Sequence, residues 1–194
     1  MPGTVKTALS TLGRVATIVI PYRGDAKSRL PASIRAAAAI AMLGDVVSAA
    51  VEVGSVLVVT DDPVVVPPGV GVVADPGKGL GAAVSAALAR VTGHALIVNA
   101  DLPCATPAAI AKLAAAELAL VEARDGTTNA LSLPDPSVFA PLYGPGSAGR
   151  FRAHAPFESI AIAELEADVD SAEDLDRYAP LLGPRTRSLL AVTA

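Results

Sequence analysis

A chain of 194 residues is long enough for one domain with a sizeable core. Hydrophobic residues make up 52%, charged residues 18% and aromatics only 3%, so alanine and valine rather than rings must fill that core. The net charge of -4 and pI of about 5.1 argue against the basic footprint of a nucleic-acid binder, and no apolar run approaches the ~18 residues of a membrane span.

Residues 1–13 read as a loose arm that lacks a secretory apolar region. Residues 15–20, VATIVI, form a short β-branched run and a buried strand. A polar segment, 21–30, follows. Pro31 then opens an alanine-rich helix that should stop near Gly54. Strands are predicted at 55–60, ending in Asp61 and Asp62, and at 70–74, ending at Asp75. A helix spans 79–91, a strand 95–100, and a helix 107–118 with Thr106 as its N-cap. Shorter strands are expected at 118–122 and 129–133, and a helix at 147–155. A late strand, 160–165, precedes a short helix, 171–178, capped by Ser171 with acids in its first turn. The tail, 183–194, reads as peripheral to a single domain. Strand and helix alternate through the first 118 residues, which predicts a mostly parallel sheet with helices on both faces. Ligands of such sheets sit beyond the carboxyl ends of the strands, the edge to which most of the polar segments belong. The lone cysteine, Cys104, excludes an internal disulfide and makes a reducing cytoplasm the expected compartment.

Five segments could carry chemistry. Asp101 closes the run ALIVNAD, and a charge there is costly to bury unpaired. Singly it reads as an exposed edge residue. Together with Asp168 and Asp170 it reads as a ligand for a hard cation such as Mg²⁺, whose sites are completed by substrate phosphates. A strand's period of two points Asp168 and Asp170 the same way; capping of the following helix is the alternative reading. Arg23, Lys27 and Arg29 lie between a strand and a helix, where they either hold a triphosphate or form a solvated basic turn. The segment is not a Walker A loop. DPGKGLG, residues 75–81, lets backbone approach a ligand closely or is a flexible turn. The 124–129 segment, RDGTTN, offers small hydroxyls to an anion, or is a turn between strands. In YGPGSAGR, 143–150, amides at a helix start with Ser147 and Arg150 make an anion cradle, or a plain glycine-rich loop. His94, His154 and Cys104 stand in no catalytic setting, and nothing supports covalent catalysis.

Taken in order, AKSRL (26–30), ADLP (100–103), TNAL (128–131), YGPGS (143–147) and DVDSAEDL (168–175) resemble one family. These are the 2-phospho-L-lactate and phosphoenolpyruvate guanylyltransferases of coenzyme F(420) biosynthesis, and the likeness runs over roughly residues 15–178. The resemblance implies a three-layer α/β/α, nucleotide-diphospho-sugar transferase-like (MobA-like) fold. It implies transfer of GMP from GTP to the phosphate of a small acid, with pyrophosphate released. By matching position, Asp101, Asp168 and Asp170 hold Mg²⁺, Thr128, Gly144 and Ser147 bind the acid, and Lys27 and Arg29 hold GTP phosphates. Asp101, Lys27 and Arg29 thus form the implied catalytic set. Four departures stand out: Gly81 after Leu80 in place of the family asparagine, Asn99 in place of the proline of PADLP, Phe151 in place of a histidine, and a loop before AKSRL about two residues short. They leave the metal residues in place and bear on base contacts and on the acceptor. Phosphoenolpyruvate is favoured as acceptor, 2-phospho-L-lactate next. Partners are therefore GTP and a small phosphorylated acid, with no nucleic acid and no membrane, and a homodimer is one possible assembly. Two rival readings are a molybdopterin or sugar-phosphate nucleotidyltransferase and a non-catalytic GTP-binding protein.

Overall fold

The structure, a computed structural model, describes residues 16–24 and 29–193. The arm expected at 1–13 and Lys27 lie outside them. Seven strands alternate with helices in the order β1 (Thr17–Pro21), α1 (Arg35–Ala50), β2 (Ser55–Thr60), β3 (Gly71–Ala74), α2 (Leu80–Leu88), β4 (Ala95–Val98), α3 (Pro107–Ala114), β5 (Ala119–Glu122), β6 (Thr128–Leu133), α4 (Ser147–His154), β7 (Glu158–Ser159), α5 (Ala163–Glu166), α6 (Ala172–Tyr178) and α7 (Pro184–Thr193). The sheet runs β3-β2-β1-β4-β6-β5-β7. β6 alone is reversed, pairing antiparallel with β4 and with β5. The three-layer, mostly parallel α/β/α arrangement expected from the sequence is the one observed.

Both faces of the sheet are covered, so its strands are near-continuous apolar runs. Ile18, Ile20, Leu96 and Val98 turn to one face, against Leu43 and Val47 of α1 and Ile110 and Leu113 of α3. Val19, Ile97, Leu131 and Leu133 turn to the other, against Val84 and Leu88 of α2 and Phe151 of α4. The period-two alternation of a strand thus feeds two cores. Alanines at 38, 39, 49, 50, 83 and 87 are all buried, as the small-residue composition requires. Among the described residues, no helix is long and apolar enough to cross a membrane.

Three expectations are corrected. The first helix begins at Arg35, not Pro31, because residues 31–34 make a separate turn. The Pro31 carbonyl accepts from the amides of Ile34 and Arg35, while the Arg35 guanidinium donates to the Leu30 carbonyl. Residues 160–165 are not a strand. Ile162 and Leu165, three apart, are the buried pair, and the Ile162 carbonyl accepts from Leu165 and Glu166, a turn of helix α5. The tail is not peripheral. Helix α7 lies on α1, and the buried Asp45 carboxylate accepts from the amides of Arg185 (3.0 Å) and Thr186 (2.9 Å) and from the Thr186 hydroxyl (2.7 Å). Gly44 and Gly183 permit this closeness: a Cβ on Gly183 would meet Asp45 Cγ at 2.3 Å, and one on Gly44 would meet Arg185 Cδ at 2.5 Å.

Candidate active site

The chain leaves β1 toward β2 and β3 on one side and returns through α2 to β4 on the other. The β1/β4 boundary is therefore the topological switch point of the sheet, where ligands of open α/β sheets bind. A cavity of about 190 Å³ opens there. Tyr22 and Arg23 beyond β1 and Asn99, Ala100 and Asp101 beyond β4 form its base. Ala39 and Met42 of α1 and Leu80 and Ala83 of α2 form its apolar walls. It is smaller than the ~300–1,000 Å³ of a typical ligand pocket, so it suits part of a nucleotide rather than all of one. Arg23 lies 3.9 Å from Asp75 at the end of β3, which ties two strand ends across the mouth.

Asp101 sits where the β4 chain turns away, between the half-buried Ala100 and the fully buried Leu102. Its carbonyl accepts from the Val169 amide at 3.0 Å, which docks the 167–170 segment beside it. That segment alternates as a strand would: Ala167 and Val169 are buried among Met42, Cys104 and Leu175, while Asp168 and Asp170 face away from that cluster. Capping of α6 is done by Ser171 with Asp174 in a capping box, not by Asp168 or Asp170. Asp168 has its pKa raised, by burial first, then by the charge of Asp101 and, less, of Asp170; the Asn129 amide works against this. Asn129 Nδ2 donates to the Leu165 carbonyl (3.0 Å) and to Asp168 Oδ1 (3.4 Å), so it holds Asp168 in place.

Hard oxygen donors of this kind suit Mg²⁺. Among the described residues, no three His, Cys, Asp or Glu side chains are gathered closely enough to form a closed ligand set. Mg²⁺ needs only one or two carboxylates, with waters and substrate phosphates completing its octahedron, so Asp101 and Asp168 fit it.

The other half of the site lies across β4. Thr128 opens β6, Ser147 opens α4, and both are buried. Ser147 Oγ and Thr128 Oγ1 are hydrogen-bonded at 3.0 Å, so the pair keeps one hydroxyl proton to donate elsewhere. Gly144 has φ of +112° and Gly146, the N-cap of α4, has φ of +70°, conformations that favour glycine. No side chain caps α4; its first two amides, of Ser147 and Ala148, donate instead to the carbonyls of Gly144 (3.0 Å) and Gly126 (3.3 Å), which ties the helix start to the glycine loop and to the turn before β6. Arg150 is not part of an anion cradle. Its guanidinium donates to the carbonyls of Leu142, Tyr143 and Pro145 and so shapes the glycine loop. The structure thus brings Thr128, Gly144 and Ser147 together.

Arg29 is exposed and stands near Asp125, in the turn before β6. Asp125 is held below the ordinary carboxylate range chiefly by the Thr127 hydroxyl, with a smaller contribution from Arg29. His94 is buried at the opposite edge of the sheet, bonded to Ser132 Oγ at 2.8 Å. Phe151, at the family's histidine position, is buried in an aromatic cluster with Phe139, Tyr143 and Phe157. Gly81 is explained by packing: a Cβ there would meet Pro141 Cβ at 2.6 Å. Sequence reasoning missed Asn129 as a holder of Asp168 and Arg150 as a loop staple; a polar residue in an all-buried strand was the available signal for the first.

Residues 31–146 match the MobA-like NTP transferase domain. The chain is 38% identical to the phosphoenolpyruvate guanylyltransferase of Salinispora arenicola, over 93% of this chain and 96% of that one. It is 36% identical to the enzyme of that name from Streptomyces coelicolor, over 90% and 95%. It is 35% identical to the 2-phospho-L-lactate guanylyltransferase of Natrialba magadii, over 81% and 80%. Among solved structures it shares its fold with a Desulfovibrio desulfuricans protein assigned to the nucleotide-diphospho-sugar transferases (TM-score 0.71, 14% identity, 93% and 96% coverage). A nucleotidyl transferase from Methanothermobacter has the same fold (TM-score 0.61, 15% identity, 93% and 100% coverage). The chain is a nucleotidyltransferase and belongs to the family of the phosphoenolpyruvate and 2-phospho-L-lactate guanylyltransferases.

Proposed function

We propose that this chain transfers GMP from GTP to the phosphate of phosphoenolpyruvate, with 2-phospho-L-lactate as the next acceptor, and releases pyrophosphate in coenzyme F(420) biosynthesis in the cytoplasm. One observation carries the reading: the Thr128, Gly144 and Ser147 cluster shares a sheet edge with Asp101 and Asp168 at the switch point. An oxygen of the acceptor phosphate forms a bond to the α-phosphorus of GTP. The bond from that phosphorus to the bridging oxygen breaks, and its electron pair leaves with pyrophosphate. The acceptor phosphate is anionic at neutral pH, so no side chain has to remove a proton. This agrees with His94 lying at the far edge. The Thr128–Ser147 hydroxyl pair, with the Gly144 backbone beside it, orients the acid. Lys27 and Arg29 balance charge on the leaving pyrophosphate. Asp101 and Asp168 would hold Mg²⁺, which when bound would neutralise two approaching anions; Asp170, expected from the sequence as a third ligand, is not gathered with them into a three-residue set.

The test is pyrophosphate release from GTP and Mg²⁺ with phosphoenolpyruvate, 2-phospho-L-lactate and 3-phosphoglycerate in turn. Phosphoenolpyruvate should give the highest kcat/KM, and Asp101→Ala should abolish turnover while the protein stays folded. No release with any of the three acids, or wild-type rates in Asp101→Ala, refutes the assignment.

A further inference from the structure

Asn99 stands where the family pattern has proline, a residue with no polar side chain. Its surroundings make it more than a tolerated replacement. Its backbone N–H donates to the Asn129 carbonyl at 3.1 Å, which carries the β4–β6 ladder one residue past Val98. Its side-chain Nδ2 donates to the Thr128 carbonyl at 3.2 Å. That bond fixes the amide, because only the nitrogen can face a carbonyl. The amide nitrogen is therefore turned toward β6. Asn99 also lines the switch-point cavity, on the β1 side of β4. Its Oδ1 is buried and accepts no hydrogen bond. A buried carbonyl oxygen left without a donor is disfavoured, so this one calls for a donor.

We propose that Asn99 Oδ1 is a nucleotide-positioning acceptor: it receives a hydrogen bond from a hydroxyl of the ribose or an N–H of guanine when GTP enters the cavity. This rests on the guanylyltransferase reading and deepens it. The chemistry of the two substrates decides which one the atom meets. Ionised phosphoenolpyruvate and 2-phospho-L-lactate carry carboxylate and phosphate oxygens and no hydrogen-bond donor. A guanosine nucleotide carries two ribose hydroxyls, one ring N–H and one exocyclic amine. The walls agree, since Ala39 and Met42 on one side and Leu80 and Ala83 on the other make an apolar slot for a nucleoside. Through its other nitrogen-bearing arm, Asn99 touches the carbonyl of Thr128, so one amide spans the nucleotide side and the acid side of the site.

Equilibrium binding of GTP with Mg²⁺, measured by calorimetry, tests this alongside 2′-deoxy-GTP, 3′-deoxy-GTP, inosine triphosphate and N1-methyl-GTP. Each analogue lacks one donor. Wild type should bind one of them roughly tenfold more weakly than GTP, the loss of one hydrogen bond. In Asn99→Ala and in the volume-filling Asn99→Leu, that ratio should fall to about one while the other ratios hold. A purely structural role for Asn99 would weaken all nucleotides alike and leave every ratio unchanged, which overturns the proposal. So does a shift confined to the Mg²⁺ dependence, which would mean that a cation-bound water is the donor, or one confined to the KM of the acid. Turnover is judged separately: wild type that binds GTP with the predicted discrimination but releases no pyrophosphate refutes the transferase reading and leaves the Asn99 contact standing.

Discussion

Gly81 offers a test in which two physical effects predict opposite signs. It is the second residue of α2, where replacing glycine by alanine ordinarily stabilises a helix by up to ~1 kcal/mol. Here the added Cβ would lie 2.6 Å from Pro141 Cβ, 3.1 Å from Pro141 Cα and 3.3 Å from its carbonyl oxygen. Two of those atoms are backbone and the third belongs to a ring, so none can swing aside. Forcing extra atoms into a packed contact costs about 1–3 kcal/mol. The net expectation for Gly81→Ala is destabilisation by about 1 kcal/mol, which for a domain of this size lowers Tm by roughly 2–4 °C. Gly81→Asn, the family residue, should cost more. The strain should also move the loop from Pro141 toward Gly144, so kcat/KM for the acid should fall by roughly tenfold, as small misplacements of bound substrate do, with a smaller change in the KM for GTP. Thermal and urea unfolding, with initial rates of pyrophosphate release, measure both effects. A double-mutant cycle isolates the contact: Pro141→Gly should restore part of the loss. If Gly81→Ala raises Tm and leaves the acid's KM unchanged, the contact does not constrain the loop and the packing account of this departure is wrong.

Three further outcomes follow from the structure. Asp45→Ala leaves two amides and a hydroxyl of α7 without their acceptor and should destabilise the protein by about 3 kcal/mol, from a lost cap and stranded buried donors, read as a drop in the urea midpoint; a loss under about 0.5 kcal/mol would mean that α7 does not depend on it. Arg150→Ala releases the carbonyls of Leu142, Tyr143 and Pro145 and should raise the KM for the acid while GTP binding holds, whereas equal effects on both substrates would contradict a local role. The Cys104 thiol is pushed from 9.0 up to about 11, by burial first and then by the charges of Glu164 and Asp45. Because the folded value is the raised one, the neutral thiol favours the native state fully below pH 9 and that contribution is lost as pH rises through 11. Native protein should therefore resist thiol reagents at pH 7.5 and lose urea resistance between pH 9 and 11; rapid labelling at pH 7.5 would refute the burial argument.

What could be read from the sequence followed how local its cause was. The strands at 17–21 and 55–60 are apolar β-branched runs between polar breaks, and Thr106 announces α3 through its own side chain, which accepts from Ala109 at 3.1 Å. Residues 160–165 misled because IAIAEL alternates in writing while its burial falls on residues three apart. Nothing local announces the role of Asp45, a charge within the apolar helix α1, since the amides it serves lie 140 and 141 residues further on. Asp101, Asp168 and Asp170 stand out in the sequence because each closes or borders an apolar stretch, but whether they share a site depends on how distant segments dock, which no local pattern carries. Asn129, which holds one of them, does not stand out, because its partner at residue 168 has no local trace in TNAL.

The reversed strand explains why the candidate residues share one edge of the sheet. Val98, the last residue of β4, pairs with Ala130 near the start of β6, and Ala95 pairs with Leu133 at its end. Had β6 run parallel to β4, Thr128 would open at the far edge, beside His94, about four residues and ~13 Å away. Running antiparallel, it delivers Thr128 and Asn129 beside Asn99 and Asp101. From there, short bonds cross from strand to strand: Asn99 to the carbonyls of Asn129 and Thr128, Asn129 to Asp168, and the amide of Val169 to Asp101. The carboxylates that would hold a cation and the hydroxyls that would orient the acid are thus coupled through two asparagines, so a change at either should be felt on both sides of the site.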